Sequence, residues 1–259
     1  MSDIALEYRR PAVAIVTIDR PARRNALDLA AWRDLAAAFR TLAANRAVRL
    51  VVLTGSGGHF CAGADISEFG RHRADSAGGQ AYDREVAAAS GALQALPQPS
   101  IAAVSGSCAG GGCALALGCD FRVLDRGARF GIPAARLGTI YTVEECRLLL
   151  SVVGLAAAKR ILYGGELLDS EAARATGFAD LVAEGDIVEA AIAFAEPILA
   201  NAPLAVAGHK AILAALASGE TEARRPALES LIREALDSAD YREGAAAFLE
   251  KRRPRFTGI

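Results

Sequence analysis

Two short glycine-containing segments are the places where the backbone of this chain could do chemistry. Phe60-Cys61-Ala62-Gly63-Ala64-Asp65 follows one apolar run, and Gly106-Ser107-Cys108-Ala109-Gly110-Gly111-Gly112 follows another. Glycine lets a backbone approach a ligand closely, and free N–H groups at a helix start favour negative charge. One N–H from each segment, converging on a thioester carbonyl, would form an oxyanion hole. Preorganised donors of that kind contribute about 3–4 kcal/mol as charge builds on the oxygen. Neither segment has the G-x-G-x-x-G spacing of a dinucleotide site or the Gly-Lys-Ser/Thr of a Walker loop. Gly106-Ser107-Cys108-Ala109-Gly110 also fits a nucleophile elbow with cysteine in the serine place. That hydrolase would draw its histidine from His209, which lies in an amphipathic helical pattern. A third reading gives the glycines only a packing role, helix against strand.

Further along, Leu137-Gly138-Thr139-Ile140-Tyr141-Thr142-Val143-Glu144-Glu145 brings a phenol and two carboxylates together. Carboxylates in a helix's first turn oppose its dipole, so Glu144 and Glu145 have a structural reading beside a proton-transfer one. Tyr141 has a packing reading and a catalytic one. Asp65 reads as a cap in its loop, His59 and His72 as exposed loop residues, and Trp32 as core.

The elements that must position these residues alternate between strand and helix. Ala12–Ile18, Val48–Leu53, Ile101–Val104 and Phe121–Leu124 are apolar strand candidates. Asp28 precedes a helical pattern containing Leu29, Trp32, Leu35 and Phe39, and Cys113–Leu117 reads as a small-residue helix. Such alternation predicts parallel βα crossovers. Arg71–Gln80, rich in Arg, Asp, Ser and Gly, reads as a mobile surface segment. From about Glu144 helical patterns dominate, Pro197 and Pro203 frame a break, and Ala227–Leu249 reads as a final helix. The chain is thus expected to divide into an α/β core over 1–200 and a helical region over 201–259 that could serve as an oligomerisation arm.

Composition narrows the partners. A net charge of −1 over 259 residues points away from nucleic acid and anionic membranes. The apolar runs stay short of the roughly 18 residues a membrane span needs, and the N-terminus lacks a secretory pattern. Five cysteines without CxxC pairs suit neither a disulfide framework nor a metal site; reduced, packed thiols in a cytoplasmic protein are expected.

Arg20-Pro21, Asn25-Ala26-Leu27, Phe60–Ile66, Gly110-Gly111-Gly112-Cys113, Leu137–Ile140 and Phe248-Leu249-Glu250-Lys251-Arg252 together resemble the crotonase (enoyl-CoA hydratase/isomerase) superfamily, in order and over nearly the whole chain. The resemblance implies a spiral ββα core, a helical C-terminal trimerisation region, and a homotrimer or dimer of trimers. It implies an acyl-CoA thioester as substrate, with coenzyme A carried by the substrate and no separate cofactor. It places the oxyanion-hole amides at Ala64 and Gly111. Coenzyme A would lie beside Ala26 and the backbone of Ala62, Asp65, Ile66 and Ser67, with Arg23 or Arg24 near its phosphates. Phe248 and Lys251 match coenzyme A-contacting positions, often supplied by a neighbouring subunit.

Two departures bear on the reaction. A hydratase of this family holds its water with two glutamates, and their positions are Ala114 and Ala134 here. Tyr141 replaces a proline; methylmalonyl-CoA decarboxylase-like members have a tyrosine there, where it helps orient the departing carboxylate. Some of those members carry a histidine where this chain has Ala64. Some isomerase members place a carboxylate at the position of Thr142, leaving Glu144 or Glu145 as substitutes. Decarboxylation and isomerisation are therefore expected ahead of hydration, with a non-catalytic acyl-CoA-binding protein as the alternative.

Overall fold

The computed structural model describes residues 2–10, 12–72 and 75–259. Among the described residues nine strands form two sheets: β1 (Ile4–Arg9), β2 (Val13–Ile18), β3 (Leu50–Gly55), β4 (Ser100–Val104), β5 (Ser107–Ala109), β6 (Phe121–Asp125), β7 (Arg129–Gly131), β8 (Leu168–Asp169) and β9 (Leu181–Ala183). The larger sheet has the order β1-β2-β3-β4-β6-β9, parallel except for the β1–β2 hairpin. The smaller is β5-β7-β8.

The continuous apolar runs of β2, β3 and β4 have a direct cause: both sheet faces are covered. Val16, Ile18, Val51, Leu53, Ala102 and Val104 enter one buried cluster, and Val13, Ile15, Leu50, Val52, Ile101 and Ala103 the other. The helices are α1 (Leu29–Ala44), α2 (Phe69–His72), α3 (Ser76–Gln94), α4 (Gly111–Gly118), α5 (Val143–Gly164), α6 (Ser170–Ala175), α7 (Ile187–Leu199), α8 (Pro203–Ser218), α9 (Thr221–Asp237) and α10 (Ala239–Leu249). Helices α1, α3 and α4 supply the first cluster, and α7 covers the second.

Asp28 caps α1 as its sequence position suggests, accepting from Ala31 N at 2.8 Å. Strand β3 begins and ends two residues later than the apolar run Val48–Leu53. Arg71–Gln80 departs from expectation. Apart from Arg73 and Ala74, which lie outside the described residues, it belongs to α2 and α3 or to the cap between them. Asp75 starts α3 by accepting from Gly78 N at 2.8 Å. Pro197 lies inside α7 and not at a break. Ala227–Leu249 is two helices, parted at Ser238, whose hydroxyl accepts from Tyr241 N at 3.0 Å.

Helices α8 to α10 stand apart from the core. Neither apolar cluster contains a residue beyond Leu199. The C-terminal tail folds back on α10, where buried Asp240 accepts from Thr257 N at 2.6 Å and Gly258 N at 2.8 Å.

Candidate active site

The two glycine segments leave β3 and β4 on the same edge of the large sheet and pair with each other. Phe60 N donates to Ser105 O at 2.7 Å, Cys61 N to Ser107 O at 2.9 Å and Ala109 N to Cys61 O at 2.9 Å. A Cβ on Gly112 would fall 2.2 Å from Cys61 O, and one on Gly63, where φ is +99°, 2.7 Å from Ala109 O. Only glycine permits backbones this close.

This pairing sets Ala64 and Gly111 side by side. A Cβ on Gly63 would lie 3.1 Å from Gly111 N, and one on Gly111 3.6 Å from Ala64 N. Leu27 brackets Ala64, donating to Gly63 O and accepting from Asp65 N, each at 2.8 Å. Gly110 N is used by Gly131 O at 3.0 Å. The Ala64 amide and the Gly111 amide at the start of α4 are left free. Among the described residues neither has an acceptor within the protein. A free donor from each loop, meeting over a glycine floor, is suited to an anionic oxygen.

Tyr141 reaches the same place. Its hydroxyl lies 3.8 Å from where a Cβ on Gly110 would sit, and it is buried without a hydrogen-bond partner among the described residues. Burial, reinforced by nearby Cys113 and Glu145, raises the phenol well above its usual range. It therefore persists as a neutral donor. A buried donor left unpaired costs stability, so a bound ligand is its natural acceptor. Ala114 and Ala134 are both buried, and neither side chain can exchange a proton.

Glu145 has another task. Its carboxylate accepts from Thr142 N and Thr142 Oγ1, both at 3.0 Å, while Thr142 Oγ1 accepts from Glu145 N, which completes a capping box at the start of α5. Glu144 is exposed in the same turn.

The segments expected beside coenzyme A form a braced shelf. Arg20 pairs with Asp3 at 2.9 Å, Asp28 at 2.8 Å and Asp65 at 3.5 Å, and its guanidinium also donates to Ala26 O. Arg24 and Asn25 both take positive φ. Fully buried Asn25 holds that turn, accepting from Arg20 N at 2.8 Å and donating to Ser56 O and His59 O at 2.9 and 2.6 Å. Arg24 O receives Ala62 N at 3.0 Å, which ties this turn to the first glycine loop. Asp65 behaves as the cap expected of it, accepting from Ser67 N at 3.1 Å and Ser67 Oγ at 2.7 Å. Those bonds, more than nearby Arg23 and Arg20, hold its carboxyl below the usual range. Ile66 and Arg24 remain exposed on the shelf.

Asn25 and Arg20 were not singled out for this bracing from sequence. The signal was an asparagine just before an Ala-Leu pair, a residue tolerant of left-handed backbone. His59 corrects an expectation. It is half-buried, and its Nδ1 accepts from Ser107 N at 3.2 Å, joining the loops.

Phe248 is 84% exposed at the end of α10, and Lys251 is exposed just beyond it. Two surface cavities, of about 770 and 810 Å³, occupy the C-terminal region and its junction with the core, and no residue of the glycine loops lines them. The hydrolase reading fails on burial. Cys108 is completely buried, which drives its thiol well above the usual range, whereas His209 is exposed on α8. All five cysteines are free, four of them buried.

Residues 9–258 match the sequence profile of the family described as enoyl-CoA hydratase/isomerase. The 2,3-dehydroadipyl-CoA hydratase of Escherichia coli is 33% identical, over 100% of both chains. A solved enoyl-CoA hydratase/carnithine racemase from Magnetospirillum magneticum superposes with a TM-score of 0.90 at 39% identity, covering 100% of this chain and 97% of that one. The enoyl-CoA hydratase of Mycobacterium tuberculosis H37Rv gives 0.84 at 33%, with full coverage of both. The chain belongs to the enoyl-CoA hydratase/isomerase family and has the crotonase fold.

Proposed function

We propose that Ala64 and Gly111 stabilise the enolate of an acyl-CoA thioester, and that the enolate arises by decarboxylation of a malonyl-type thioester. The buried, unpartnered hydroxyl of Tyr141 beside Gly110 carries this reading. Breaking the bond to the carboxylate leaves its electron pair on the α-carbon and, by conjugation, negative charge on the thioester oxygen. The two amides receive that charge, CO₂ departs, and a proton from solvent completes the product. No side-chain base is required, which agrees with alanine at 114 and 134. Tyr141 donates to the substrate carboxylate and orients the bond that breaks.

Double-bond isomerisation is the second reading, supported by Glu145, which lies near enough to Tyr141 to raise its phenol. Its carboxylate would have to leave the capping box to reach the substrate. The relatives named above as hydratases make hydration the third reaction to test. The arm α8–α10 is proposed to complete the assembly as a homotrimer or dimer of trimers, with Phe248 and Lys251 reaching coenzyme A there. Buried free thiols suit a reducing cytoplasm.

The test incubates the protein with crotonyl-CoA, a 3-enoyl-CoA, malonyl-CoA and methylmalonyl-CoA and follows products by mass spectrometry. Loss of CO₂ that depends on Tyr141 is the expected result. Rapid hydration of crotonyl-CoA would overturn the argument from Ala114 and Ala134. Binding without turnover of any thioester would make the chain an acyl-CoA-binding protein.

A further inference from the structure

We infer that Trp32 and Tyr82 are a positioning pair that sets the spacing of the two oxyanion-hole amides. The inference rests on the hole's binding a thioester. Trp32 is the chain's one tryptophan, and it is completely buried on α1. Its ring edge lies directly against the second glycine loop. A Cβ on Gly111 would meet Trp32 Cζ2 at 3.0 Å and Cη2 at 3.2 Å, on the side where it would also meet Ala64 N at 3.6 Å. The indole is thus the wall on which Gly111 rests.

The indole is itself fixed by a polar contact inside the apolar cluster. Trp32 Nε1 donates to Tyr82 Oη at 3.0 Å, and Tyr82 Oη donates to Leu27 O at 3.3 Å. Leu27 is the residue that brackets Ala64 through Gly63 O and Asp65 N. A closed path therefore runs from Gly111 through the indole, the phenol and Leu27 to Ala64. It joins the two hole amides by a route separate from the direct pairing of the glycine loops. Tyr82 is 2% exposed on α3, and its ring also meets Phe69 edge-on at 6.2 Å. The helix following the first glycine loop thereby reports to the geometry of the hole.

A core pair with only a packing role would be served as well by two apolar rings. A buried N–H and a buried O–H retained here must be paired, and both are spent on a contact that ends at the hole. Tyr82→Phe keeps the ring and removes the link, leaving the indole without its anchor and the Leu27 carbonyl held by the Asp65 amide alone.

The experiment uses the intact protein and butyryl-CoA carrying ¹³C at the thioester carbonyl, a saturated thioester outside all three candidate reactions. Difference infrared spectroscopy reads how strongly the hole polarises that carbonyl. In the unsubstituted protein the carbonyl band is expected to move to lower wavenumber on binding. In Tyr82→Phe most of that shift is expected to be lost while affinity for coenzyme A alone stays unchanged. A full shift in Tyr82→Phe overturns the inference. Should that variant fail to fold, emission from Trp32 in the unsubstituted protein decides: it is expected to change with butyryl-CoA and not with coenzyme A alone. Butyryl-CoA bound by calorimetry without a change in emission overturns the pair's role and leaves the acyl-CoA reading intact. Calorimetry showing no thioester binding removes both.

Discussion

Among the described residues the Tyr141 hydroxyl and the two loop amides are three donors without an acceptor; the titratable groups that act on the phenol are buried thiols, Cys113 foremost, and Glu145, whose carboxylate serves the α5 cap. For a reaction that must move a proton at the outset this is poor equipment, and for one that releases CO₂ it is sufficient. A hydrogen bond to a charged group contributes about 1.5–3 kcal/mol. Tyr141→Phe should therefore slow decarboxylation by about 10–100-fold, with little effect on coenzyme A affinity. Because burial raises the phenol, the rate should hold steady as pH approaches 10, where an ordinary tyrosine would ionise. Steady-state rates measured from pH 6 to 10 check both points, and an alkaline limb that vanishes in Tyr141→Phe would show an ionising phenol instead. The pairing of the two loops that leaves the Ala64 and Gly111 amides free was legible from loop composition, because close backbone approach needs glycine and glycine is visible. The burial of Tyr141 was not legible, since a tyrosine has the same spacing whether it lines a pocket or faces water.

At the scale of elements, the site depends on two loops that touch backbone to backbone. Gly112→Ala would press a Cβ against Cys61 O, 2.2 Å away, and against Cys61 Cβ at 2.8 Å. Backbone cannot yield as a flexible side chain can, so this change should cost about 3 kcal/mol or more and lower activity with it. Gly79 is the control. It lies in α3 with open space around its Cβ position, and Gly79→Ala should stabilise by up to about 1 kcal/mol. Thermal or denaturant unfolding of both variants reads the contrast, and equal effects would contradict the close approach. The Asp65 cap adds a pH dependence. Its folded carboxyl titrates below the ordinary value, so its stabilisation is complete above about pH 4 and is lost as pH falls through the lower folded value. Melting temperatures of Asp65→Asn should accordingly fall less steeply with acid than those of the unsubstituted protein. The same scale shows where pattern reading failed. Asp, Ser and Gly over Arg71–Gln80 have the composition of a loop, yet Asp75 spends its carboxylate as a helix cap, and packing against α1 carries α3 through its glycines. The strands were easier to read, because a sheet covered on both faces writes its burial as unbroken apolar runs.

At the scale of the whole molecule, both buried apolar clusters belong to the core, and the C-terminal helices leave most of their large apolar side chains exposed. On α8 and α9, Leu213 is 65% exposed, Leu216 58%, Ile232 48% and Leu236 51%. Over three helices and the tail only Ala215, Leu228, Ser238, Asp240 and Ala247 are buried. An isolated arm of this kind gains little from folding alone. Against another copy each large side chain would contribute about 1.5–3 kcal/mol on full burial. The Asp240 latch keeps the tail folded onto α10 and so presents Phe248 and Lys251 at one end of the arm. Sedimentation velocity of the full chain should accordingly show three or six copies. Leu213→Glu with Leu216→Glu should shift it towards monomer, because charges would then enter an apolar contact. Were Phe248 and Lys251 to serve a neighbour's coenzyme A, the dissociated variant would also lose thioester affinity while retaining the capped and braced shelf of each core. A monomer with undiminished thioester binding would instead assign the entire site to one chain and leave the arm's leucines without a catalytic consequence.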